Sequence, residues 1–203
     1  MRVIVFGATG KTGRHATRLA LDRGHEVTAF GRSADRLDHE PGLSAFKGDA
    51  LDPDAVGAAV EGHDGVIVCL GSTGLRDSTT LAAGTASIVA AVDSHGVERL
   101  VVLSAAGVGD SWAQIPWSSR LAFKTMLRNI LADHGAQEAV VKRSRSDWTI
   151  VRSAVLTDKP ATGAVTATKT GATKRISRAD LASYLVDQLT DASLTRQAIS
   201  VTT

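Results

Sequence analysis

Val3-Ile4-Val5-Phe6-Gly7-Ala8-Thr9-Gly10-Lys11-Thr12-Gly13 is the stretch that decides the fold of this chain. Four apolar residues in a row suit a strand covered on both faces. Glycines at 7, 10 and 13 follow, and then a helix-like stretch over 11–23. A buried strand that turns through glycines into a helix leaves the first amides of that helix without intrahelical acceptors. They point at whatever sits over the turn, and an anion such as a dinucleotide pyrophosphate is the natural occupant. In this role Gly7 permits the sharp turn, Gly10 the close approach of backbone to phosphate, and Gly13 the packing of helix on strand. Thr9 and Thr12 can add hydroxyl bonds to the pyrophosphate, or serve the turn and the cap locally.

Outward from this motif, β-branched runs alternate with helical patterns. Strands are predicted at 2–6, 26–30, 44–47, 65–70, 99–104, 148–152 and 198–202. Helices are predicted at about 11–23, 53–61, 79–95, 118–134, 135–144 and 178–190. Regular βα alternation with continuously apolar strands predicts an α/β fold, a doubly wound and mostly parallel sheet with helices on both faces. Gly24, Gly62 and Gly96 fall where helices should end. Asp52 and Thr79 are N-cap candidates, and Ser177 with Asp180 resembles a capping box. No repeat or linker divides the chain. Loops 71–78, 107–117 and 153–176 follow strands four, five and six, so they are the candidate substrate walls.

At 203 residues, 43% hydrophobic and 22% charged, the chain suits one soluble domain. A net charge of +2 gives no field for nucleic acid or an anionic membrane. The Lys142-Arg143-Arg145 cluster reads as cations at a helix end. Cys69, the sole cysteine, reads as a buried inert thiol. The opening residues read as a strand rather than a secretion signal, and no apolar run is long enough to span a bilayer, so a cytoplasmic location is expected. Monomer and homodimer stay equally open.

The second strand ends in Gly31-Arg32-Ser33. An NAD site usually places an acid there to hold the ribose 2′-hydroxyl. Arginine and serine suit a 2′-phosphate instead, with Lys11 as a second cation, so NADP(H) is the expected cofactor. Arg32 also reads as one solvated charge among several, since Asp35 and Arg36 follow. Asp49 after Gly48 can face the adenine amino group or cap a turn, with Ala50 beside it. Leu70, Gly71 and Ser72 should pass beneath the adenine ribose.

The glycine loop, Gly48-Asp49, Asp147-Trp148-Thr149-Ile150-Val151-Arg152 and Ile176-Ser177-Arg178-Ala179-Asp180-Leu181-Ala182 occur in that order. In these phrases the chain resembles the atypical short-chain dehydrogenases of the NAD(P)-binding, NmrA-like type, nearest the flavin reductase and biliverdin-IXβ reductase branch. The resemblance runs over essentially the whole chain. It implies a single Rossmann domain with NADP(H) across the strand ends and a shallow site over the nicotinamide. Members of that branch reduce flavins, bile pigments or other planar acceptors; relatives elsewhere sense the nucleotide and regulate. Two departures stand out. Ser153 occupies a position where the family phrase has proline, and the Tyr-x-x-x-Lys pair of alcohol dehydrogenation is absent. The single tyrosine, Tyr184, lies four residues before Gln188 in the last helix, where it reads as packing or surface.

The resemblance puts Ser104, at the end of strand five, beside the nicotinamide. There it can bond the carboxamide or donate to the acceptor, or it can be a plain turn residue. Hydride transfer to a conjugated acceptor asks the protein mainly to hold two flat rings together and exclude water. Glu138, with Gln137 beside it, reads as a solvated helical face, although related proteins often carry a functional polar residue there. His134 reads as a cation near a helix end. Trp112 and Trp117 can stack on a planar substrate or pack on the core, and Arg76 can pair with a substrate anion. No histidine has metal-ligand spacing with cysteine or acid, so no metal is expected. The expected activity is an NADPH-dependent reductase of a small planar acceptor; the rival is an NADP(H)-sensing regulator.

Overall fold

The structure, a computed structural model, describes residues 1–71, 79–115, 127–153 and 155–203. The apolar opening run forms β1 (Arg2–Phe6), followed by α1 (Lys11–Asp22), β2 (Glu26–Gly31), β3 (Leu43–Lys47), α2 (Pro53–Val60) and β4 (Gly65–Val68). Then come α3 (Thr80–His95), β5 (Arg99–Ala105), α4 (Arg128–Val141), β6 (Asp147–Ser153), β7 (Val155–Thr157), β8 (Thr166–Thr168), β9 (Arg175–Ser177), α5 (Arg178–Asp187) and β10 (Gln197–Thr202).

Eight strands form one sheet in the order β3-β2-β1-β4-β5-β6-β10-β8. Every pairing is parallel except that of β10 with the edge strand β8. The doubly wound expectation is met. Side-chain alternation divides the core: Val3, Val5, Val101 and Leu103 pack with Ala16, Ala20, Leu181 and Leu185 of α1 and α5. Ile4, Phe6, Leu100 and Val102 pack with Val56, Ile88, Val92 and Val141 of α2, α3 and α4. The strand order reverses at β1, which lies between β2 and β4, and the crevice at their carboxyl ends is where such sheets bind ligands.

Three expectations change. The helices expected at 118–134 and 135–144 are, in the described part, one helix, α4, with Gly135 inside it. A single interior glycine costs about 1 kcal/mol against alanine, which packing readily offsets. The loop 153–176 contains β7 and β8 and leads into β9, and β7 pairs with β9 in a small separate sheet. The loop after β5 coils into a 3-10 turn at Gly109–Gln114. The capping pattern at α5 holds in altered form. Ser177 Oγ accepts from Asp180 N–H (3.0 Å), and Asp180 accepts from the amides of Thr162 and Gly163 (each 2.9 Å to Oδ1), tying the long segment to the helix start. Among the described residues no helix is long and apolar enough to cross a membrane.

Candidate cofactor and acceptor site

The glycine turn is held by β2: the amides of Gly7 and Ala8 both donate to Phe30 O, at 3.1 and 3.3 Å. Gly7 has φ +76°, and a Cβ there would lie 2.6 Å from Cys69 O. A Cβ on Gly13 would lie 2.1 Å from Gly7 O, so α1 can approach the turn this closely only with glycine at 13. Gly10 occupies the N-cap of α1 and contributes no side-chain cap, and the Arg14 amide, bonded to Gly10 O at 2.9 Å, begins the helical ladder. The amides before it are thus presented at the crevice with the positive end of the helix dipole behind them.

Two clefts meet over this turn, sharing Gly10, Cys69, Leu70 and Gly71. The smaller, about 230 Å³, takes in Gly7, Thr9, Arg32, Asp49, Ala50 and Leu51. The larger, about 980 Å³, runs from Lys11 and Thr12 across Ser104 and Ser153 to α4. Among the described residues nothing lies within 4 Å of a Cβ built on Gly71, which lines both clefts. A cradle of glycine backbone and helix amides joining a small polar cleft to a large apolar one fits a dinucleotide, adenosine in the first and nicotinamide in the second.

Most sequence-expected cofactor residues therefore come together, but not all in their expected roles. Arg32 lines the adenosine cleft and has no ion-pair partner among the described residues, since Asp35 is taken by Lys47 at 3.0 Å. Lys11, expected with Arg32 at the 2′-phosphate, does not line the cleft that holds Arg32. Its Nζ reaches instead to Asp158 (3.0 Å), which also pairs with Arg178, and Lys11 lines the larger cleft. Ser33 begins the 3-10 turn Ala34–Arg36 and is not among the described residues lining either cleft. Asp49 faces the adenosine cleft while its Oδ1 accepts from the Leu51 amide (3.0 Å), so site and turn share one side chain. Ser72, Arg76 and Trp117 lie outside the described residues. Trp112 is half-buried in the 3-10 turn and is not among the residues lining the larger cleft; Ile115 is.

Glu138 overturns the solvated-face reading. It is buried, and its carboxylate is gripped by Arg152 through Nε (2.8 Å) and a terminal nitrogen (2.7 Å). Ser104 Oγ donates to it at 2.9 Å and Lys142 Nζ at 3.2 Å. Burial pushes the Glu138 carboxyl up, but the hydrogen bonds and charge of Arg152, with Ser104 and Lys142, outweigh it and hold it below the ordinary value. Arg152 also bonds the exposed Asp110 (2.6 Å), which anchors the 3-10 turn beside the cleft. His134 is likewise no helix-end cation. It lies within α4, lines the larger cleft, and bonds Gln137 Oε1 through Nδ1 (3.0 Å). Burial lowers its pKa against the opposing pull of Gln137, Asp133 and Glu138, which favours the neutral ring. The one hint to the Arg152 clamp in the sequence is a charged residue that follows the run Trp148-Thr149-Ile150-Val151 within a predicted strand.

Cys69 is buried, and desolvation raises its thiol to about 12, matching the expected inert state. Tyr184 packs on the α1–α5 core and is not among the described cleft residues. Tyr184→Phe should leave turnover within about twofold of wild type; a variant with no activity would contradict the absence of a tyrosine proton relay.

The family profile described as NAD(P)H-binding matches residues 7–192, and the chain belongs to that family. The expected kinship with atypical short-chain dehydrogenases holds. It is 37% identical over 118 residues to a 2-alkyl-3-oxoalkanoate reductase of Stenotrophomonas maltophilia (strain K279a), a match covering 53% of this chain and 34% of that protein. It is 27% identical to an uncharacterized sugar epimerase, YhfK, of Bacillus subtilis (strain 168), over 100% of this chain and 94% of that one. In structure it matches ChuY, an anaerobillin reductase from Escherichia coli O157:H7, with a TM-score of 0.83, 25% identity, and 100% and 97% of the two chains covered.

Proposed function

We propose that this protein is an NADPH-dependent reductase that passes hydride to a small planar acceptor, flavin-, quinone- or tetrapyrrole-like. The carrying observation is the large cleft beside the glycine turn, walled by Leu103, Ile115, Leu127, Ile130, Leu131 and Leu156. An apolar slot of that size suits a flat conjugated ring and keeps water from the reacting faces. Bound NADPH would supply the hydride. The chain's own residues would do the holding. The α1 amides and the Thr9 and Thr12 hydroxyls take the pyrophosphate, Arg32 the 2′-phosphate and Asp49 the adenine side, while Ser104 and Ser153 border the nicotinamide. The reductase names among the relatives support this reading, whereas a sugar-epimerase reading lacks the Tyr/Lys pair.

Purified protein should consume NADPH with at least one member of a panel of flavins, quinones and tetrapyrroles. Saturable NADPH binding with no oxidation on any acceptor would favour the sensing regulator instead. Arg32→Ala should weaken NADPH binding about tenfold or more, the loss of a charge-assisted phosphate contact, with little change for NADH. Equal losses for both nucleotides would show that Arg32 does not hold the 2′-phosphate.

A further inference from the structure

The hydrogen bonds around Glu138 fix the direction of a proton that the fold alone leaves open. Its Oε1 accepts from Arg152 Nε and Ser104 Oγ, and its Oε2 from an Arg152 terminal nitrogen and Lys142 Nζ. Two acceptor sites on each oxygen are thereby filled by four donors, three of them on cations. A carboxyl proton on Oε2 would face Arg152 or Lys142, and one on Oε1 would face Arg152 or take the place of the Ser104 proton; the two cations hold the carboxyl below its ordinary value, so the group is an acceptor only. Ser104 has one hydroxyl proton, and this arrangement commits it to Glu138. Ser104 also lines the larger cleft, at the end of β5. What it offers there is a lone pair.

We propose that Glu138, clamped by Arg152, is a positioning residue that makes Ser104 a hydrogen-bond acceptor for the carboxamide N–H of nicotinamide, and that Ser104 is not the proton donor to the reduced acceptor. This rests on the NADPH reading of the cleft. The neighbouring polar groups agree with that polarity. Ser153 Oγ donates to Ser104 O (3.4 Å), and His134 spends its Nδ1 on Gln137, so neither supplies a competing donor to the Ser104 hydroxyl. An acceptor at this place favours the amide NH2 over the carbonyl oxygen. It therefore fixes which way the carboxamide turns, and with it the rotation of the nicotinamide ring.

The test compares NADPH with its 3-acetylpyridine analogue, which carries a methyl group in place of the amide nitrogen, by calorimetry on the whole protein. Wild type should bind NADPH about tenfold more tightly than the analogue, the range of one hydrogen bond to a neutral partner. In Ser104→Ala that preference should fall to near one, and in Glu138→Gln, where circular dichroism shows a folded protein, it should fall likewise. If Glu138→Gln does not fold, Ser104→Ala decides alone. Equal wild-type affinity for the two nucleotides, or a preference kept in Ser104→Ala, would overturn the proposal and leave the NADPH reading standing. No binding of either nucleotide to wild type would remove the NADPH reading, and this proposal with it.

Discussion

Arg152→Ala should lower the unfolding free energy by about 3–5 kcal/mol, the cost of stranding a buried charge partner. For a chain of this size that is a fall of roughly 10 °C in Tm. Arg152 and Glu138 side chains are each 3% exposed, so water cannot replace the lost bonds; Glu138 would keep only Ser104 and the half-exposed Lys142, and Arg152 only the exposed Asp110. Glu138→Ala should cost a similar amount. Removing both, as Glu138→Leu with Arg152→Met, should cost less than either alone, because no buried charge is left unpaired. Thermal unfolding followed by circular dichroism reads all four proteins, and a fall of under about 2 °C in Arg152→Ala would contradict the clamp. The pH dependence has a definite sign. The folded Glu138 carboxyl is held below its ordinary value, so its contribution is full above the unfolded pKa and is lost as pH falls through the folded one. The gap between wild type and Glu138→Ala should therefore narrow in acid and stay constant at neutral pH.

Gly13→Ala should reduce NADPH affinity by about two orders of magnitude or more, since the pyrophosphate seat depends on α1 standing where it does. The added methyl would lie 2.1 Å from Gly7 O and 2.9 Å from the Ala8 Cα, both backbone atoms, so α1 or the turn must move. Either movement takes the helix amides off the phosphate. Gly57→Ala is the matched control. Its Cβ would meet nothing within 4 Å among the described residues, and Gly57 lines neither cleft, so binding should stay unchanged and stability should rise slightly. Calorimetry on the two variants separates a seat built from close backbone packing from a general sensitivity to alanine. Wild-type affinity in a folded Gly13→Ala protein would contradict the seat.

The glycine turn was legible in the sequence because its information is local: strand, three glycines and helix fall within a dozen residues. The central strands were legible because both faces are covered and the runs are uniformly apolar. The Glu138 clamp was not. Its partners Ser104 and Arg152 stand 34 and 14 residues away and meet it only where the interior strands β5 and β6 pack against α4. The helix also misleads. Asp133, Gln137 and Glu138 face inward, while Ala132, Ala136 and Ala139 face solvent, the reverse of the ordinary amphipathic pattern. Asp133 is buried because it accepts from the Leu81 and Ala82 amides (3.0 and 2.9 Å), satisfying the start of α3 from another helix. Periodicity alone cannot distinguish such a buried polar face from a wet one. Strands β7, β8 and β9 escaped because each is three residues long and lies in a threonine-, glycine- and lysine-rich segment whose order comes from Asp180 and from β10. The destination of Lys11 was hidden for the same reason: Asp158 is 147 residues away.

Titration of the wild-type protein with NADPH and, separately, NADH by calorimetry tests the central claim most directly. Saturable binding of both nucleotides, with NADPH the tighter, is the result that the glycine turn and Arg32 predict. Absence of heat with either one would contradict the coenzyme seat on which the rest is built.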